Sequence, residues 1–161
     1  MALVQLTYDF VHSESSAALL SNMGRLALAA ILGAAIGLER QIRHKAAGLR
    51  TTMLICFGAA LYTILSAELA SAFGGDHTRI AAQIIPGIGF IGAGSILRER
   101  GSIVGLTTAA TIFVAAAVGM AAGGGLFLTA IFSTIVVLVS LVVFGWLEAR
   151  FAAAQHPAGS K

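Results

Sequence analysis

Charge-free apolar runs divide the chain. Residues 51–67, 80–97 and 101–147 contain no Asp, Glu, Lys or Arg. A helix rises about 1.5 Å per residue, so about 20 residues cross a hydrocarbon core of roughly 30 Å. The first two runs each predict one span. The third would reach about 70 Å as a single helix, so it must fold back on itself. Gly123-Gly124-Gly125 marks the break, because glycine is poorly able to hold a helix. A further apolar stretch, Leu26 to Leu38, is too short alone and extends back through Arg25 and Asn22 toward Ala17. Arg25 is then expected to snorkel at the outer end. The pattern predicts an all-α polytopic membrane protein, a Gly-rich bundle of five helices over 17–38, 51–70, 79–97, 103–122 and 126–147. A polar segment, 1–16, precedes the bundle, and a tail, 148–161, follows it. The alternative has four spans, with the first segment lying on the surface.

Composition agrees with the pattern. Of 161 residues, 58% are hydrophobic and 11% charged, and the mean hydropathy is +0.92. A soluble domain carries about 25% charged residues, so these side chains cannot make a polar skin. The net charge of +3 fits basic loops facing anionic lipid rather than nucleic acid. Arg40, Arg43, Lys45, Arg50, Arg98, Arg100, Arg150 and Lys161 fall on one side of a five-span arrangement, and Arg25 and Arg79 on the other. The positive-inside rule then predicts an external N-terminus and a cytoplasmic C-terminus. The first sixteen residues hold Asp9 and Glu14 and lack the basic start of a cleaved signal peptide. No soluble domain is expected after the last span.

Small residues dominate the spans. Gly33 and Gly37 form one GxxxG and Gly119 and Gly123 another. Either they pack helices within the chain, or they offer a face to a second copy or another membrane protein. Gly87-Ile88-Gly89-Phe90-Ile91-Gly92 has the spelling of a dinucleotide fingerprint but lacks the strand and soluble βαβ unit that motif needs. Pro86 removes a backbone donor, so the third helix is expected to kink or break. Gln83 is a candidate for hydrogen bonding between helices. Thr107 and Thr111 share a helix face and can bond their own backbone. Asp76 reads as the N-cap of the third span, with Arg79 three residues on. Cys56 reads as a small packing residue. The four histidines, His12, His44, His77 and His156, have no metal-ligand spacing, and no nucleophile and base are paired. No cofactor, metal site or enzymatic constellation is expected.

Three blocks of sequence resemble the signatures of the MgtC/SapB family of bacterial membrane proteins. The first is Gly37-Leu38-Glu39-Arg40-Gln41 with Lys45-Ala46-Ala47-Gly48-Leu49-Arg50-Thr51. The second runs from Asp76 through Arg79, Gln83, Gly87, Gly89 and Gly92 to Gly94. The third is Gly105-Leu106-Thr107-Thr108-Ala109-Ala110. Pro86 stands where the family more often has serine. Many members carry a soluble C-terminal domain, and regulation through it is not expected here. The resemblance implies a multi-pass protein of the bacterial inner membrane, linked to survival in low magnesium, acid or host phagocytes. For some members it implies restraint of the ATP synthase rather than magnesium transport.

Together these readings predict one polar, close-packed centre. It would combine the mouth between the first two spans (Glu39, Arg40, Gly48, Arg50, Thr51) with the Gly-rich third span and the Thr107-Thr108 pair. Gly48 would turn the chain and Thr51 would cap the second span. The function expected is non-enzymatic regulation of another membrane complex, bound through small-residue faces, with a homo-oligomer also open. The alternative is a small transporter or channel for Mg2+ or another ion. Carboxylates are absent from the middle of the predicted spans, and Mg2+ favours octahedral oxygen ligands.

Overall fold

The computed structural model describes residues 16–99 and 102–155. Residues 1–15 of the expected polar segment, with His12, and Arg100, His156 and Lys161 lie outside the described residues. The chain is an all-α polytopic membrane protein. Its helices are α1 (Ser16–Ile42), α2 (Leu49–Phe73), α3 (Arg79–Ala82), α4 (Ile84–Gly94), α5 (Leu106–Gly123) and α6 (Phe127–Gln155). Four of them, α1, α2, α5 and α6, are long and apolar enough to cross a membrane.

The third expected span departs from a simple rod. It is broken at Gln83 into α3 and α4, and the two together cover only Arg79–Gly94. At about 1.5 Å per residue that is roughly 24 Å, less than a hydrocarbon core. Pro86 explains the break, because it has no N–H to offer the Ala82 carbonyl four residues earlier. Pro86 itself sits in the first turn of α4, where its missing donor costs little.

The residues expected to end the third span and begin the fourth instead form a two-stranded antiparallel hairpin, β1 (Leu97–Glu99) with β2 (Ser102–Val104). The fourth span therefore starts later than expected, at Leu106. Its N-cap, Gly105, has φ of 93°, a left-handed conformation that favours glycine. A Cβ there would also overlap the Ser95 carbonyl. At the other end, the glycine triplet acts as expected. Gly124 caps α5, and Gly125 turns at φ of 80° into α6.

The core lies where α1, α2 and α5 meet. Ala29, Leu32, Ile36, Cys56, Ala60, Ala115, Val118 and Ala122 form it. Both GxxxG motifs converge on α2. A Cβ on Gly33 would come within 2.6 Å of Cys56 Cβ, and one on Gly123 within 2.5 Å of the Ala60 carbonyl oxygen. A Cβ on Gly119 would overlap the Cys56 backbone. On Gly37 it would meet Leu49 Cα at 2.6 Å. All four glycines are buried. The small-residue faces are thus consumed inside the chain, so Gly33, Gly37, Gly119 and Gly123 are not free to dock another membrane complex as the expected function required. Cys56 fills the remaining gap, its thiol donating to the Ala115 carbonyl at 2.8 Å.

At the end bearing the α2–α3 connection, polar groups fasten the helices. Arg25 does not simply snorkel. Its Nη1 donates to the Gly123 carbonyl at 3.2 Å, placing a cation at the negative end of α5. Asn22 donates to Glu68 at 3.2 Å. Ser66, 1% exposed, accepts from the backbone N–H of Ile80 (3.2 Å) and of Ala81 (3.3 Å) and donates to the His77 carbonyl (2.6 Å). It thereby serves from α2 the orphan donors at the start of α3.

Candidate functional site: a polar cleft and an apolar groove

The residues expected to form one centre do not meet: some line one cavity, some another, and Gly48, Gly89, Gly92 and Gly94 line neither. The first is a polar cleft of about 720 Å³ among the end of α1, the β2–α5 junction and α6. Glu39, Arg40, Arg43, Lys45, Gly105, Thr107, Thr108, Ser140 and Glu148 line it. The second is an apolar groove of about 670 Å³ between α2 and α3–α4. Arg50, Thr51, Gln83 and Gly87 line that one. The split follows from helix geometry. Residues at the end of α1 face α5 and α6, whereas the first turn of α2 points past the core toward α4.

Arg40 is the centre of the cleft. It is 4% exposed, and its Nη2 donates to Thr108 Oγ1 at 2.9 Å. Its Nε is buried without a partner among the described residues. The adjacent Glu39 has a side chain only 10% exposed, with Oε1 2.7 Å from Arg43 Nε. That contact is an ion pair without hydrogen-bond geometry, and neither carboxylate oxygen has a hydrogen-bond partner among the described residues. A buried carboxylate and guanidinium normally fill their hydrogen-bonding capacity. Here both retain free capacity beside open volume, so the cleft is equipped to receive a polar group. Arg43 is not among the expected site residues, although its place four residues after Glu39 is an ion-pair spacing. Ser140 and Glu148 carry no signal in the sequence, because only the folded chain brings α6 over the mouth.

Other expected residues have different roles. Thr107 accepts on its carbonyl from Thr111 Oγ1 at 2.7 Å. The connection from α1 to α2 is turned by His44 (φ 53°) and Ala47 (φ 55°), not by Gly48, whose φ is −78°. Thr51 lies in the first turn of α2, not at its cap. The cap is Gly48, and Gln41 Oε1 accepts from Leu49 N at 3.3 Å. Gln83 makes no side-chain hydrogen bond among the described residues and lines the groove rather than bridging helices.

Asp76 and Arg79 stand at the opposite end of the molecule from the cleft. Asp76 does not cap α3 directly. Its Oδ1 accepts from Thr78 N (2.8 Å) and Thr78 Oγ1 (2.7 Å), closing a local turn before the helix. Those bonds, backbone first, hold its carboxyl below the usual carboxylate range, with His77 and Arg79 adding attraction. In α4, Gly92 packs on Ala109, where an added Cβ would stand at 3.8 Å, whereas Gly89 and Gly94 have open space beside them.

The MgtC family model matches residues 26–150, which include both cavities. The chain belongs to the MgtC family. It is 51% identical over 132 residues to the protein named "Putative magnesium transporter YhiD" of Escherichia coli K12, covering 78% of this chain and 61% of the relative. It is 48% identical over 115 residues to Protein MgtC of Brucella abortus, covering 70% and 47%. It is 47% identical over 116 residues to an uncharacterized protein of Synechocystis, covering 72% and 49%. The chain thus spans between about half and three fifths of these relatives' length. No solved structure matches it. Part of each MgtC-like block lines a cavity: Glu39, Arg40, Lys45 and Gly105 to Thr108 the cleft, and Arg50, Thr51, Gln83 and Gly87 the groove.

Proposed function

We propose that this MgtC-family chain is a non-enzymatic regulator in the bacterial inner membrane, active in adaptation to low magnesium or acid. It acts by receiving a polar segment of another membrane complex in the cleft at Glu39 and Arg40. The cleft faces the cytoplasm, as the basic residues around it favour. The ATP synthase is the partner that the family resemblance implies.

The observation that supports this reading is where the open volume lies. α1, α2 and α5 approach so closely that Gly33, Gly119 and Gly123 have no room for a Cβ, and both cavities lie outside that core. Ion transport is the second reading. It is favoured by the name of the Escherichia coli relative and by the Glu39 carboxylate, which is ion-paired to Arg43 but accepts no hydrogen bond among the described residues.

One pair of measurements separates them. The purified chain is reconstituted in liposomes holding a Mg2+ indicator, and a photo-crosslinker is placed at Phe144 on the cleft wall in cells. The expected result is no saturable Mg2+ flux above empty liposomes, a crosslink to a membrane complex, and loss of that crosslink in Glu39→Gln. Saturable flux that Glu39→Gln abolishes would overturn regulation in favour of transport.

A further inference from the structure

The groove between α2 and α3–α4 raises a question that the cleft does not answer. Gly58 and Gly87 line it, yet a Cβ at either would meet nothing within 4 Å. Glycine inside a helix costs stability relative to alanine. At Gly33 or Gly119 that cost returns as close packing between helices. At Gly58 and Gly87 no neighbour among the described residues uses the space, which leaves the groove open along both helices.

We infer that the groove is a binding site for one anionic phospholipid, with the headgroup at Arg50 and an acyl chain over Gly58 and Gly87. Three observations carry this. The first is shape. From Arg50 to Tyr62 the wall runs about twelve residues, about 18 Å, close to the roughly 15 Å of hydrocarbon in one leaflet. The second is lining. The groove, about 670 Å³, is walled almost wholly by apolar side chains, the surroundings an acyl chain takes. The third is charge. Arg50 is exposed at the mouth and has no side-chain hydrogen bond or ion pair among the described residues, with the Thr51 hydroxyl beside it. Below that mouth the walls are Leu54, Ile55, Ile84, Ile88 and Ile91. A guanidinium at headgroup height above an apolar slot between helices is a phosphate site joined to a tail site.

Native mass spectrometry of the intact chain in detergent, titrated with phosphatidylglycerol or phosphatidylcholine, tests the inference. Phosphatidylglycerol adducts are expected to exceed phosphatidylcholine adducts at least about fivefold: both carry a phosphate, but the choline cation cancels its charge, and the attraction of one Arg to a net-negative headgroup is roughly 1 kcal/mol. Arg50→Gln is expected to bring that ratio to about one. Gly58→Leu and Gly87→Leu are expected to lower the occupancy of both lipids by roughly threefold or more. Each variant is first checked for protection of the buried Cys56 thiol, which reports that the core is folded. Gly58→Ala, which adds one methyl group, serves as the milder probe if a leucine variant loses that protection. The inference is overturned if Arg50→Gln keeps the preference, or if folded groove-filling variants keep full lipid occupancy. It is also overturned if those variants lose a dimer mass rather than a lipid mass, since the groove would then seat a second copy.

Discussion

Replacing Gly119 by alanine adds a single methyl group, yet the structure predicts a large effect. The new Cβ would point from α5 into the backbone of α2 at Cys56. The obstacle is main chain, so no rotamer change relieves it, and the two helices must separate at the tightest contact of the core. Overpacking of this kind costs about 1–3 kcal/mol. In a chain of this size each kcal/mol moves the midpoint by about 2–4 °C, so the expected drop is roughly 2–12 °C. The assay is built into the molecule. Cys56 is the sole cysteine and 0% exposed, so a dye that fluoresces on reaction with thiols reports core opening directly. Gly24 in α1 supplies the control, since a Cβ there meets nothing within 4 Å. Gly24→Ala should leave the midpoint unchanged or raise it slightly. If Gly119→Ala melts at the same temperature as the parent protein, the close approach of α2 and α5 is wrong.

Three further outcomes are expected. Thr108→Val removes the hydrogen-bond partner of the buried Arg40 guanidinium and should cost about 1–3 kcal/mol. Adding Arg40→Met to that variant should recover part of the loss, and a double-mutant cycle with no coupling would rule out the contact. Ser66→Ala leaves the Ile80 and Ala81 N–H groups without their acceptor and should cost about 1–2 kcal/mol. Hydrogen exchange should accelerate at the start of α3 while α5 stays protected, and uniform acceleration would contradict the local role. Asp76 has a lowered folded-state pKa, so its ionised form contributes stability above the ordinary aspartate range, about 3.9, and that contribution fades as pH falls through the folded value. The midpoint difference between the parent and Asp76→Ala should therefore be flat at neutral pH and shrink in strong acid. A difference that grows with acid would reverse the sign and refute it.

Charge-free runs pointed to α2, α5 and α6, because excluding charge from hydrocarbon is the strongest constraint such a sequence carries, whereas α1 had to be extended through Arg25. The glycine triplet ending α5 and the break near Pro86 were legible for a related reason, since each follows from backbone chemistry alone. The hairpin was not. Leu97-Arg98-Glu99 and Ser102-Ile103-Val104 are short and adjoin apolar runs, so they read as helix ends. Neither triplet shows the strict apolar–polar alternation that announces a strand. Only the left-handed turn at Gly105 betrays that the backbone changes course before α5 begins. Glu39, Arg40 and Arg50 were legible as a polar mouth, but their division between two cavities depends on the rotation of each helix about its axis. No spacing along the chain encodes which side of α2 the α4 segment occupies.

The last helix carries a gauge of depth. The Arg150 guanidinium lies 4.8 Å from the ring centre of Trp146, an amphipathic pair suited to the boundary between lipid and water. From Phe127 to Trp146 the helix rises about 29 Å, which matches a hydrocarbon core. With Trp146 fixed at that boundary, Ser140 on the cleft wall lies about 9 Å further in. On that gauge the stretch of cleft wall at Ser140 stands at the level of acyl tails. A polar group placed beside Ser140 would leave its hydration behind, so at that depth the cost of drying would count as much as fit.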